Sequence, residues 1–216
     1  MSLVTEAYRD RGFWMHENSS YSEPNFRMKK CAKILNQLTA GRPCTLLDVG
    51  CGPAALRRLL DPNITYHGID IALHESRPYL KEVDFLTSEI SFGRQQFDLI
   101  VALGVMEYMG SHQSEKFREI SRILRAGGKF CMSYINFGHC RKIVYPIYNN
   151  VMSIKRMKQS MEQVFRVEQC FPLSHHWRHK QPGRRALPSI QIRLNWKVPL
   201  ISPWLAVEYL FICSHR

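Results

Sequence analysis

Apolar and polar positions along this chain change period repeatedly. Cys31, Ile34, Leu35 and Leu38 recur at i, i+3, i+4 and i+7, the stripe of an amphipathic helix. Ser22-Glu23-Pro24 predicts its start, with Ser22 as cap and Pro24 in the first turn, and Gly41 and Pro43 predict its end. Residues 45–49 form a short apolar run of strand length. Residues 54–60 predict a helix that Asp61-Pro62 stops, and 66–69 a strand closing on Asp70. A weak helical pattern over 75–80 leads to a short strand at Val83. Residues 97–102 are continuously apolar but for Asp98, as a buried strand should be. Phe117, Ile120 and Leu124 mark the inner face of a helix that Gly127-Gly128 ends, and 129–135 is the next strand. Val151, Ile154, Met157, Met161 and Phe165 predict a helix over 150–164. Two more strands are expected, 166–171 and 206–213.

Strands alternating with helices predict an α/β fold: a doubly wound, mostly parallel sheet with helices on both faces. The length of 216 residues suits a single domain. Within it, 1–44 reads as an N-terminal helical segment or lid, 45–136 as a nucleotide-binding core, and 137–216 as the half facing a second substrate. An insert of about 30 residues, 174–205, exceeds what a strand connection needs. A short helix is expected within it at 190–200.

Composition changes this picture in two places. The formal net charge is +12, and residues 141–197 carry most of it, with twelve Lys and Arg against two Glu. That stretch would attract an anionic partner, whether nucleic acid, an acidic small molecule or a membrane surface. The seven cysteines are odd in number and lack C-x-x-C spacing, which favours reduced, buried thiols over disulfides or a metal cluster. No uninterrupted apolar run is long enough to span a bilayer, and the N-terminus lacks a signal-peptide pattern. A cytoplasmic location is expected.

The chemistry begins at "LLDVGCG", residues 46–52. A strand followed by G-x-G and a helix can cradle a nucleotide: Gly50 permits the turn, Gly52 omits a Cβ, and amides at the helix start face the ligand. Asp70, twenty residues past Gly50 at the end of the next strand, can accept hydrogen bonds from both hydroxyls of a ribose. Asp48 would repel a diphosphate but favour an ammonium.

The stretch "LLDVGCGPAALRRLL" resembles the first motif of the class I S-adenosylmethionine (SAM)-dependent methyltransferases. "YHGIDIA" (66–72), "VDF" (83–85), "FDLIVALGVMEYM" (97–109) and "ILRAGGKFCMSY" (123–134) resemble their next four, in family order and spacing. The resemblance implies a seven-stranded sheet with an antiparallel last strand. It implies that Asp48 and the loop Gly50-Cys51-Gly52 hold the methionine end of SAM. Asp70 would take the ribose, Ile71 would lie against the adenine, Asp84 would accept from its amino group, and Phe85 would border it. Ala102 and Leu103 would offer carbonyls to the ammonium, and Tyr21 would close over the cofactor.

Methyl transfer from SAM needs a general base only when the acceptor must lose a proton. Candidates are His16, Glu107, Tyr108, His139, His175 and His176, with Glu107 and His139 favoured because they follow strands on the ligand edge. No metal is expected: the residues after the fourth and fifth strands, Leu103-Gly104-Val105 and Tyr134-Ile135-Asn136, lack the acids that metal-dependent relatives use. The acceptor pocket is expected from 13–21, 137–148 and 175–204. Three readings stand: a metal-independent methyltransferase acting on oxygen or nitrogen of a small, natural-product or sugar-like acceptor; an RNA methyltransferase using the basic insert; and a non-catalytic SAM-binding or interaction protein.

Overall fold

The computed structural model describes residues 21–73, 75–90, 92, 94–136, 152–176, 191–192 and 206–216, with 174–176 and 191–192 as backbone only. The alternating pattern folds into one sheet. Its strands are β1 (Cys44–Val49), β2 (Ile64–Asp70), β3 (Leu80–Glu82), β4 (Phe97–Leu103), β5 (Leu124–Ile135), β6 (Phe165–His176), β7 (Gln191–Ile192) and β8 (Ala206–His215). Their spatial order is β3-β2-β1-β4-β5-β8-β6-β7. The first five pair in parallel, whereas β8 runs antiparallel between β5 and β6. Seven strands match the expected architecture. The eighth, β7, is a two-residue addition on β6 where a helix is expected.

Helices α1 (Phe26–Thr39), α2 (Gln113–Ile123) and α3 (Ile154–Met161) cover the two faces. Alternate residues of each strand feed separate cores. Leu46, Leu99, Val101, Cys131 and Ile212 pack with Cys31, Ala32 and Leu35 of α1. Leu47, Ile100, Phe130, Met132 and Phe211 pack with Phe117 and Ile120 of α2 and Met157 and Met161 of α3. Because β1 borders both β2 and β4, successive crossovers diverge at its carboxyl end, the place where open α/β sheets bind ligands.

Several boundaries differ from the pattern for local reasons. Asn25, not Ser22, caps α1; its side chain accepts from the Met28 amide at 3.0 Å, and Pro24 lies outside the helix. Ala40 takes the left-handed cap position, with Gly41 after it. The stretch 54–60 is only a 3₁₀ turn, Ala55–Leu59, preceded by Pro53 and a left-handed Ala54. No helix forms among the described residues of 75–80, where Pro78 removes an amide and Leu80 instead closes a turn on the Arg77 carbonyl. The strand β5 starts at Leu124 because 124–128 extends rather than turning away, with irregular pairing to β4. Ser153 caps α3, shortening it at its start. The expected positions 150 and 151 lie outside the described residues.

Candidate active site

The carboxyl ends of the parallel strands surround a cavity of about 260 Å³. After β1 stand Gly50, Cys51, Gly52 and Pro53; at the end of β2, Asp70 and Ile71; after β3, Val83, Asp84, Phe85 and Leu86; after β4, Leu103, Gly104 and Val105. Glu107, Tyr108, Met109 and Ile135 form a further wall, and Tyr21, Arg27 and Met28 approach from the N-terminal side. The structure thus brings Tyr21, Gly50, Cys51, Gly52, Asp70, Ile71, Asp84, Phe85, Leu103, Glu107 and Tyr108 to one space. Asp48 and Ala102 do not line it. They lie within their strands, at 4% and 0% exposure. His16 and His139 lie outside the described residues, as does nearly all of the expected acceptor pocket. His175 and His176 close β6, which places only their backbone.

The loop after β1 is held from inside. Gly50 sits at φ 71°, and a Cβ there would fall 2.4 Å from Cγ2 of Val105, so the missing side chain clears the neighbouring loop. The amides of Gly50 and Cys51 donate to the Ile69 carbonyl at 2.8 and 3.1 Å. Gly52 N–H donates to Asp70 Oδ2 at 2.7 Å, and Ala54 N–H donates to the Cys51 carbonyl at 2.9 Å. These four amides are therefore engaged within the protein, and of them only Ala54 belongs to the helix start whose amides are expected to face a ligand. Asp70 ties the loop to β2 and also accepts from Ala72 N–H at 3.2 Å. Asp84 is similarly braced, accepting from Leu86 N–H at 3.0 Å and Thr87 Oγ1 at 2.6 Å.

Behind the loop, Tyr66 O–H donates to Asp48 Oδ2 at 2.8 Å. Burial pushes the Asp48 carboxyl up to about 7, against the pull of the Tyr66 hydrogen bond and with added repulsion from Asp70.

The opposite wall carries a second polar cluster. Arg27 Nη1 donates to Glu208 Oε1 at 2.8 Å and to Ser133 Oγ at 3.4 Å. Burial opposes the Arg27 charge, but Glu208 and Glu107 outweigh it and hold the guanidinium ionised. Gly104, at φ 75°, makes room: a Cβ there would meet Arg27 Nη1 at 2.6 Å. Glu107 is 1% exposed. Its Oε1 accepts from Ile135 N–H at 3.1 Å, while its Oε2 has no partner. Burial, reinforced by the Glu208 charge, raises the Glu107 carboxyl to about 7, although Arg27 and backbone N–H groups pull the other way. The sequence reading missed Arg27. The signal was present, because Arg27 lies four residues before Cys31 on the stripe that faces the core.

A profile described as a methyltransferase domain matches residues 24–179. The chain belongs to the methyltransferase-domain family. It is a SAM-dependent enzyme, as the ordered motifs of residues 46–134 imply. Among curated proteins, none matches the sequence. Solved structures share the fold at low identity. A chain of the complex between the Haloferax volcanii Trm112 methyltransferase activator and a methyltransferase aligns with TM-score 0.66 at 16% identity, covering 96% of this chain and 97% of that one. A SAM-dependent methyltransferase from Clostridium acetobutylicum gives 0.63 at 11%, covering 93% and 96%. The N-methyltransferase NodS from Bradyrhizobium japonicum, in complex with S-adenosylhomocysteine, gives 0.58 at 15%, covering 89% and 88%. No helix among the described residues of this methyltransferase is long and apolar enough to cross a membrane.

Proposed function

We propose that this methyltransferase acts on an oxygen or nitrogen of a small acceptor, without a metal, and that Glu107 receives the acceptor's proton. The observation that carries this reading is the buried, unpartnered Oε2 of Glu107 at the cavity wall. A carboxylate oxygen left without a donor at that depth is costly unless a ligand or a proton satisfies it. An acceptor O–H or N–H would do so. With its carboxyl near 7, Glu107 is matched to take a proton at neutral pH.

The residues present fit the cofactor. The engaged amides of Gly50, Cys51 and Gly52 leave no cradle there for a pyrophosphate, which favours the carboxypropyl end of SAM. Asp70, at the end of β2 on the cavity wall, would take the ribose hydroxyls. Ile71 and Phe85 would flank the adenine, Asp84 would accept from its amino group, and Tyr21 would close over it. Leu103 would offer its carbonyl to the ammonium. Asp48 and Ala102 would act from below, Asp48 as a negative field behind the loop rather than as a contact. Arg27, where the cofactor end borders the acceptor end, would face the carboxylate. Bound there, SAM supplies a methyl on a positive sulfur, and that carbon–sulfur bond breaks with its electron pair left on sulfur as the acceptor forms its own bond to carbon. The protein's part is to hold the acceptor in line and to move its proton onto Glu107 Oε2. Four of the six described cysteines, Cys31, Cys51, Cys131 and Cys213, are buried, which suits the reduced thiols of a cytoplasmic setting.

The test is transfer of labelled methyl from SAM into cell extract fractions. Label in the low-molecular-weight fraction supports the proposal. In that assay Glu107→Gln, which keeps an oxygen for Ile135 N–H, lowers kcat by about 10²–10⁴-fold with little change in KM for SAM. Label in RNA, with affinity falling steeply as salt rises, would establish the RNA reading instead, which the basic stretch 141–197 favours.

A further inference from the structure

A second buried charge lies away from the reacting end. Lys116 of α2 is 3% exposed, among the least accessible lysine positions a soluble fold tolerates. Its Nζ donates to Glu119 Oε1 at 2.9 Å and to the Ser88 carbonyl at 2.9 Å. The same ammonium lies 5.0 Å from the centroid of the Phe85 ring. Glu119 is 5% exposed and its Oε2 has no partner. A buried ion pair on a helix is a poor source of stability, because desolvation of both charges offsets their attraction. Its contacts indicate another use. Outside its own helix the ammonium's partners, the Ser88 carbonyl and the Phe85 ring, belong to the segment after β3, and that segment supplies Asp84, Phe85 and Leu86 to the cavity.

We propose that Lys116 is a positioning residue for the cofactor's adenine side: it fixes the face of Phe85 and the turn 84–88 from behind, and so sets the shape of that wall. The proposal rests on the SAM reading of the cavity. Asp84 fixes the turn internally through Leu86 and Thr87. Those bonds do not anchor the turn to the rest of the domain. Lys116 does, at the Ser88 carbonyl and at the ring. The exposed pair of Arg122 and Glu89, at 3.2 Å, repeats the link at the surface and contributes little. An ammonium suits this post because it holds a carbonyl and an aromatic face at once, where an apolar side chain would hold only the ring.

The experiment replaces both charges, Lys116→Met with Glu119→Met, so that neither is left buried alone, and measures S-adenosylhomocysteine binding by calorimetry. The affinity falls about tenfold, the scale of a desolvated cation–π contact plus its hydrogen bond. In turnover, KM for SAM rises while kcat at saturation holds. Phe85→Leu alone also weakens binding, and the triple variant loses no more than either parent by about threefold, because both changes act through one wall. Lys116→Arg, which keeps cation and donors, binds within about threefold of the wild type. Unchanged affinity in the double Met variant, or losses that multiply with Phe85→Leu, would overturn the assignment. If the double Met variant does not fold, the Arg variant decides: a loss of about tenfold there overturns it. No binding by the wild type would instead overturn the SAM reading and the assignment with it.

Discussion

The two ends of the cavity are built on opposite principles. At the cofactor end the polar groups are partnered within the protein. Gly50 and Cys51 donate to Ile69, Gly52 to Asp70, and Leu86 to Asp84. At the other end Glu107 Oε2 and Arg27 Nε are buried without partners. The first end is preorganised, so a ligand meets a surface that needs no rearrangement. The second holds unsatisfied hydrogen-bonding capacity beside a guanidinium, which only an incoming group or a proton can use. On the proposed function, the difference separates a site for a constant ligand from one where chemistry takes place.

The largest expected effect breaks the first end. Asp70→Ala removes both the anchor of Gly52 and the proposed acceptor for the ribose, and S-adenosylhomocysteine affinity should fall more than about 100-fold by calorimetry. Retained affinity would remove Asp70 from the binding role. Next comes stability against pH. Asp48 and Glu107 both ionise more reluctantly in the folded state, at about 7, than at their ordinary 3.8 and 4.5. Below about pH 4 both states are protonated. As pH rises, the unfolded chain ionises first, so stability falls until about 7 and then levels. Chemical denaturation should show a loss of up to about 3–4 kcal/mol per group across that window. Glu107→Gln and Asp48→Asn should each flatten the curve, and a wild-type curve already flat from 4 to 7 would contradict the burial argument.

A third measurement couples the two halves of the first end. A ligand ammonium near Asp48 favours its ionised form, so binding releases a proton. S-adenosylhomocysteine affinity should therefore weaken by up to about tenfold per unit as pH falls below 7, and Asp48→Asn should remove that slope. The smallest effect sharpens the second end. Arg27 pulls the Glu107 carboxyl down. In Arg27→Met the acid limb of the kcat profile should move upward by about half a unit to one unit. An unmoved limb would detach Glu107 from the chemistry.

Much of the cofactor end was legible in the sequence because it is local. Gly50, Gly52 and Asp70 are fixed by a strand–loop–helix spacing that a single segment displays. The acceptor end is not local. Glu107 meets Arg27 and Glu208 only because β8 inserts beside β5 and α1 packs across β4, bringing together residues 181 positions apart. Lys116 and Glu119 share this character. Both flank the apolar stripe of α2, where pattern alone assigns a charge to solvent. Asp48 is the reverse case. Its position in the motif suggested contact, whereas the pleat of β1 turns it into the core against Tyr66.

By itself the sequence determined the alternating strands and helices, the sheet they make and the family, since period and motif are properties of short segments. Only the tertiary structure decided that Asp48 stands behind the cavity, that Val105 occupies the space a Gly50 side chain would need, and that Glu107 keeps an oxygen free. Those facts depend on which side chains meet across the sheet, and burial, not sequence neighbourhood, sets the cost of leaving a polar atom alone.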